Sequence, residues 1–193
     1  MEELKQTFYN NPIIPSATSK EYLNYFVKRT SHIWVCLKMG EICSLGAIIS
    51  ILHKNNRKAM LHFDFIKGIA KDKEGIEYLK RIGVDAIITT KSQHLKMIRD
   101  NEIIAILETF LVDSSAIQQT LSNIRTGKPD AVLVMPMTVP KQVFQKITQE
   151  HDCVLAGGLG VDHEVIQNAL DSGARACIVT DRRLIVESYD CPI

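Results

Sequence analysis

The chain has no Cys-x-x-Cys pair, no apolar run long enough to span a bilayer and no large excess of charge of either sign. Each absence excludes something. The five cysteines, Cys36, Cys43, Cys153, Cys177 and Cys191, lack the paired spacing of a zinc or disulfide framework. Four of them lie in apolar runs, and they read as reduced core residues of a cytoplasmic protein. The start, Met1-Glu2-Glu3-Leu4-Lys5, has no signal-peptide apolar region, and no membrane partner is expected. With a net charge of +1, no global field favours nucleic acid, so a polyanion would need a local patch. No linker or low-complexity segment divides the 193 residues, which read as one domain over 1–193.

What is present is an alternation of strand and helix. Hydrophobic residues make up 46% of the chain, enough for a sizeable core. Eight short apolar segments read as strands buried on both faces: Ile13–Ala17, His32–Leu37, Lys58–Phe63, Asp85–Thr89, Ile103–Leu107, Asp130–Met135, Cys153–Ala156 and Ala174–Thr180. Amphipathic segments lie between them, as at Glu74–Lys80, Lys141–Ile147 and Val161–Leu170. Asp72, Asp113-Ser114 and Asp162 mark helix starts, because their side chains can cap free N–H groups. Asp85 and Asp130 begin their strands and read as structural. The repeat of about 24 residues is near the minimum for a compact (β/α)8 TIM barrel, which is the expected fold. An open doubly wound sheet is the alternative, but its glycine fingerprint normally follows the first strand.

Here the glycines come late, in Leu155-Ala156-Gly157-Gly158-Leu159-Gly160. Together with the strand ending at Thr180-Asp181 they point to a phosphate site, where backbone N–H groups converge and side chains would obstruct. A plain glycine turn is the alternative. In a barrel, sites sit where strands end. His62-Phe63-Asp64 is such an end. Strand alternation sets His62 and Asp64 toward the mouth, and Leu61, Phe63 and Phe65 toward the helices. The polar pair could take ligand hydroxyls, bind a metal, act as base and orienter, or close the barrel as a satisfied cluster. Lys67 and Lys71 beside Gly68, and Lys141 after Pro140, are within reach of an anion at the mouth or are simply solvated. At the other end, Lys54, Arg57, Lys58 and Arg125 lie near helix C-termini. The macrodipole favours cations there, and they also make a candidate RNA footprint. A homodimer would double so small a footprint.

Taken together these motifs resemble the glycerol-3-phosphate-responsive antiterminator family, over nearly the whole chain. The resemblance rests on Ile14-Pro15, His62-Phe63-Asp64-Phe65-Ile66-Lys67-Gly68-Ile69, Asp85-Ala86-Ile87-Ile88-Thr89-Thr90, Phe110-Leu111-Val112-Asp113-Ser114, Lys128-Pro129-Asp130, Pro136 with Pro140-Lys141, and Ala156-Gly157-Gly158-Leu159. It implies a barrel that binds glycerol 3-phosphate as effector and acts on the leader of glycerol-operon mRNA, so that transcription passes a terminator. It implies no catalytic residue, metal or redox cofactor. Gly157, Gly158, Thr180 and Asp181 would hold the phosphate. His62 and Asp64 would receive hydroxyls, with Lys67 and Lys141 compensating charge. The chain departs from the family pattern at Glu41, Glu108, Met137 and Asp181. Glu108 stands where the family tends to have arginine, which is unfavourable for a phosphate dianion if the side chain points inward. The rival reading is a barrel enzyme acting on a sugar or polyol phosphate, with His62 as acid/base and Asp64 as orienter or metal ligand. A third is a degenerate barrel that serves only as a protein-interaction module.

Overall fold

The structure is a computed structural model, and it describes residues 2–186. Eight parallel strands close into a barrel in chain order. They are β1 (Ile13–Ala17), β2 (Trp34–Leu37), β3 (Lys58–His62), β4 (Ala86–Thr89), β5 (Ile104–Phe110), β6 (Ala131–Met135), β7 (Val154–Gly157) and β8 (Ala176–Val179). The β1–β8 pairing, with Ile14 opposite Ile178, excludes the open sheet. Two boundaries differ from expectation in ways that matter below. β5 continues past Leu107, because Thr109 and Phe110 go on pairing with Val134 and Met135. β3 stops at His62, where Phe63–Phe65 turn into one 3-10 turn.

Register decides which side chains enter the barrel. Ser16 is opposite Cys36, Cys36 opposite Met60, His62 opposite Ile88, and Ile88 opposite Ile106. Glu108 is opposite Leu133, Leu133 opposite Leu155, Gly157 opposite Ile178, and Ile178 opposite Ile14. Rising two residues at each odd strand closes this circuit back on Ser16, which is the stagger of a barrel with shear about 8. The inward set is a dry cluster that includes Ile14, Trp34, Met60, Ile88, Ile106, Leu133 and Leu155. The helix α1 (Glu2–Asn10), which lay outside the expected elements, adds Leu4 and Phe8 to it. Phe8 sits 5.5 Å from the Trp34 ring and stoppers the end where strands begin. Burying such a side chain stabilises by about 1.5–3 kcal/mol. A second, larger cluster fills the space between the strands and the helices around them.

The helix starts fall at the expected caps. Asp72 accepts from the Gly75 N–H, Asp113 from Ala116 and Asp162 from Val165, opening α4 (Lys73–Arg81), α6 (Ser114–Gly127) and α8 (His163–Asp171). Asp85 and Asp130 are structural. Each accepts a backbone N–H from the neighbouring strand region, Ala59 at 2.8 Å and Ala105 at 2.9 Å. Cys36, Cys153 and Cys177 are buried, and burial pushes the Cys36 and Cys177 thiols up to about 12. Cys43 is exposed, a departure from the core role expected of it, because it lies on the solvent side of α3 (Ile42–Lys54). Cys191 lies outside the described residues. Among the described residues, no helix is long and apolar enough to cross a membrane.

Two buried histidines give the fold an acid limit. His32 sits with Nε2 3.3 Å from the Ile185 carbonyl. His94 pairs through Nδ1 with the Thr89 hydroxyl at 3.1 Å. Burial is the main cause that holds both imidazoles below their ordinary value of 6.5. Unfolded histidines take up protons near 6.5 while these two stay neutral. Stability is therefore complete above that pH and falls as pH drops through the folded values. The melting temperature is expected to decrease from pH 7 to pH 5, with a shallower decrease in His94→Gln. A melting temperature flat across that range would contradict this.

Candidate ligand site at the barrel mouth

Four odd-strand residues make the top interior layer: Ser16, His62, Glu108 and Gly157. Barrel interiors are usually layers of bulky apolar side chains. This layer is polar, and its three side chains are almost wholly buried. His62 Nε2 lies 3.0 Å from Glu108 Oε2, with both side chains 3% exposed. His62 Nδ1 is buried without a hydrogen-bond partner, while the Ser16 hydroxyl lies against the Cys36 thiol opposite it. Buried polar atoms are paired in the great majority of cases, so an orphaned ring nitrogen directly beneath a barrel mouth points to a ligand. On the even strands, Met135 ends β6 two residues beyond Leu133, and Lys38, Thr90 and Thr180 follow the ends of β2, β4 and β8. Glu108 and Ser16 are functional candidates that the sequence reading did not assign. Stepping inward from Ile106 and Ile14 by the strand period reaches both.

The loop after β3 departs from simple alternation. Because Phe63–Phe65 form a 3-10 turn, Asp64 does not stand beside His62 at the floor. It lies at the surface, ion-paired with Lys71 and 3.4 Å from the Thr90 hydroxyl. Desolvation works to raise the Asp64 carboxyl, but the Lys71 ammonium, with His62 and Thr90, outweighs it and holds it below the ordinary range. Phe65, expected to face the helices, is 50% exposed instead. Its ring sits edge-on to His62, with centroids 4.6 Å apart, and Lys38 Nζ lies 5.9 Å from its centre. Leu61 and Phe63 enter the helix-side core as expected. Lys67 keeps an exposed side chain, while its backbone bridges to Glu41 and ties this loop to the one after β2.

Across the mouth, β7 runs into a left-handed turn. Gly158 has φ +71° and the exposed Leu159 has φ +57°. A left-handed leucine costs roughly 1–2 kcal/mol. A cost of that kind, held at a barrel mouth, is characteristic of functional loops. A Cβ on Gly157 or Gly158 would come within 2.9 Å of the Met135 side chain, so Met135 already covers one side of the glycine pair. Beyond β8, Asp181 turns toward Arg183. It accepts from that residue's backbone N–H at 2.9 Å and from its guanidinium at 2.7 Å. The Asp181 carboxylate is thus engaged by Arg183. Lys141 is exposed and opens α7 (Lys141–Glu150).

At the opposite end, three of the four candidate RNA cations have local partners. The Arg57 guanidinium donates to the His32 and Thr30 carbonyls. Arg125 makes a two-pronged ion pair with Glu150, at 3.0 and 2.7 Å. Lys58 Nζ lies 5.5 Å from the Trp34 ring centre. Lys54 is exposed in the last turn of α3.

The model of the glycerol-3-phosphate responsive antiterminator family matches residues 13–185. The chain belongs to that family. It is similar to the glycerol uptake operon antiterminator regulatory protein of Listeria monocytogenes. That crystal structure shares 28% identity over 91% of this chain and 95% of that one, with a TM-score of 0.85. A glycerol uptake operon antiterminator-related protein of Thermotoga maritima shares 27% identity over 89% of this chain and 96% of that one, with a TM-score of 0.80. The uncharacterized protein YgcP of Escherichia coli is 27% identical over 175 residues, 89% of this chain and 90% of that one. Aldolases at 10–14% identity share the barrel fold alone.

Proposed function

We propose that this antiterminator-family chain senses a small phosphorylated polyol, glycerol 3-phosphate, at the barrel mouth and acts on a leader mRNA in the cytoplasm. The observation that carries the reading is the buried polar floor. Within a family named for its response to glycerol 3-phosphate, His62 Nδ1 lacks a partner directly under the mouth. A ligand hydroxyl supplies that partner, with Asp64 receiving a further hydroxyl from the rim. The phosphate takes the N–H groups of Gly157 and Gly158 and those at Thr180 and Asp181, which adjacent strands present side by side. Lys67 and Lys141 offset its charge from the rim, against the single negative charge that Glu108 brings to the floor.

A second reading keeps one specific observation in its favour. A buried histidine with a carboxylate 3.0 Å away is also the geometry of a general acid–base pair. The two readings separate cleanly. For a sensor, His62→Asn weakens glycerol 3-phosphate binding by roughly tenfold, about one lost hydrogen bond of 1–1.5 kcal/mol. The wild type then leaves glycerol phosphates unchanged, with or without magnesium. Turnover by wild type that disappears in His62→Asn would establish the enzyme instead.

A further inference from the structure

We propose that the mouth rim, and not the opposite end of the barrel, is the surface that takes single-stranded RNA; the proposal rests on the regulatory reading above. Three observations converge on it. The first is exposed apolar surface. Of the eight large hydrophobic side chains exposed among the described residues, Phe65, Val112, Leu159 and Val161 lie on loops after strands and Phe110 ends β5; Phe65 and Phe110 are each 50% exposed. These two rings follow or end β3 and β5, the strands that carry His62 and Glu108. Exposed aromatic faces beside cations are how proteins hold unstacked bases without reading sequence.

The second observation is charge in an unexpected place. Cations normally favour helix C-termini. Here Lys20 opens α2 (Lys20–Arg29), Lys91 caps α5 (Ser92–Asp100) and Lys141 opens α7, all at the positive ends of their helices. Each placement gives up roughly the 0.3–1 kcal/mol that the reverse placement gains. The helix dipole therefore does not account for these three cations, which sit among the cap carboxylates Asp72, Asp113 and Asp162 and beside Glu21, and a polyanion laid over the rim would pair with them. At the opposite end, the helix dipole and local partners account for Arg57, Lys58 and Arg125.

The third observation is coupling. Phe65 packs edge-on against His62, the residue given to the ligand's hydroxyl. A ligand that fixes the His62 ring fixes the stacking platform with it. RNA affinity then depends on the effector without any distant conformational change.

The experiment uses a fluorescent twelve-nucleotide oligouridylate, in single-stranded form and annealed to its complement. Anisotropy is measured at several salt concentrations with and without 10 mM glycerol 3-phosphate. Wild type is expected to bind the single strand better than the duplex, and better with the effector. The Phe65→Ala/Phe110→Ala variant should lose tenfold or more with an unchanged salt slope, consistent with about 1–3 kcal/mol per stacked base. Lys38→Gln/Lys91→Gln should lower the log–log slope by about 1.4, at about 0.7 per phosphate contact. Lys54→Gln/Arg125→Gln should bind as wild type. Should both rim variants bind like wild type while the Lys54/Arg125 variant fails, the rim assignment is overturned and the regulatory reading stands. Rim substitutions that alter only the sedimentation coefficient would give this surface to a second copy of the chain and also overturn it. A wild type that binds no strand at all, yet is stabilised by glycerol 3-phosphate, overturns the RNA role itself.

Discussion

Gly158→Leu is expected to lower the melting temperature by several degrees and to abolish stabilisation by phosphate compounds. The backbone at Gly158 has φ +71°, which a leucine adopts only at a cost of about 1–2 kcal/mol. In a domain of this size that corresponds to roughly 2–8 °C. The Met135 methyl, 2.9 Å from where a Cβ would stand, can move aside, so the barrel still closes. The side chain then occupies the approach to the N–H groups of the turn, and the anion loses its cradle. Thermal melts with and without glycerol 3-phosphate measure both effects. A variant that melts lower but keeps the full response to ligand would move the phosphate away from this turn.

The second large effect concerns the buried pair. His62→Leu leaves the Glu108 carboxylate buried without its partner, a situation that costs about 3–5 kcal/mol. Glu108→Leu leaves both ring nitrogens of His62 without partners, at about 1–3 kcal/mol. Replacing both by leucine removes the penalty with the pair. The double variant should therefore be more stable than the sum of the singles predicts, with a coupling of about 0.5–3 kcal/mol. Denaturant melts of the four proteins give this coupling directly. Additive losses would mean that the two side chains do not interact in solution. The conservative Glu108→Gln keeps a hydrogen-bond partner for His62 and removes one negative charge from the floor. It should bind glycerol 3-phosphate more tightly, on the order of tenfold, because like charge at a partly buried site opposes the dianion.

The barrel was legible because its signals are local and repeated. Strands buried on both faces leave continuous apolar runs, and Asp72, Asp113 and Asp162 announce the helices they cap. Asp85 and Asp130 could be set aside as structural because each begins its strand. The mouth was harder, since it depends on where strands stop. His62 and Asp64 have strand spacing, but the chain leaves the sheet at Phe63. The period of two then no longer governs Asp64 or Phe65. Glu108 went the other way. The strand outlasts its apolar run, so the carboxylate stays in register with Leu133 and enters the barrel. Charges at the opposite end were visible as a cluster, but sequence does not show that Arg125 reaches Glu150, 25 residues away. Nor does it show that Phe65 turns outward, because that depends on the 3-10 turn.

The most direct measurement is the thermal stability of the wild-type chain with glycerol 3-phosphate, with glycerol and inorganic phosphate as separate controls. A ligand at 100 times its Kd that binds only the folded state adds about 2.7 kcal/mol, which in a domain of this size raises the melting temperature by roughly 5–10 °C. A phosphorylated-polyol site at the mouth predicts that rise for glycerol 3-phosphate, little or none for glycerol, and a smaller one for phosphate. It also predicts that the rise is lost in Gly158→Leu. An unchanged melting temperature with glycerol 3-phosphate up to tens of millimolar would contradict it.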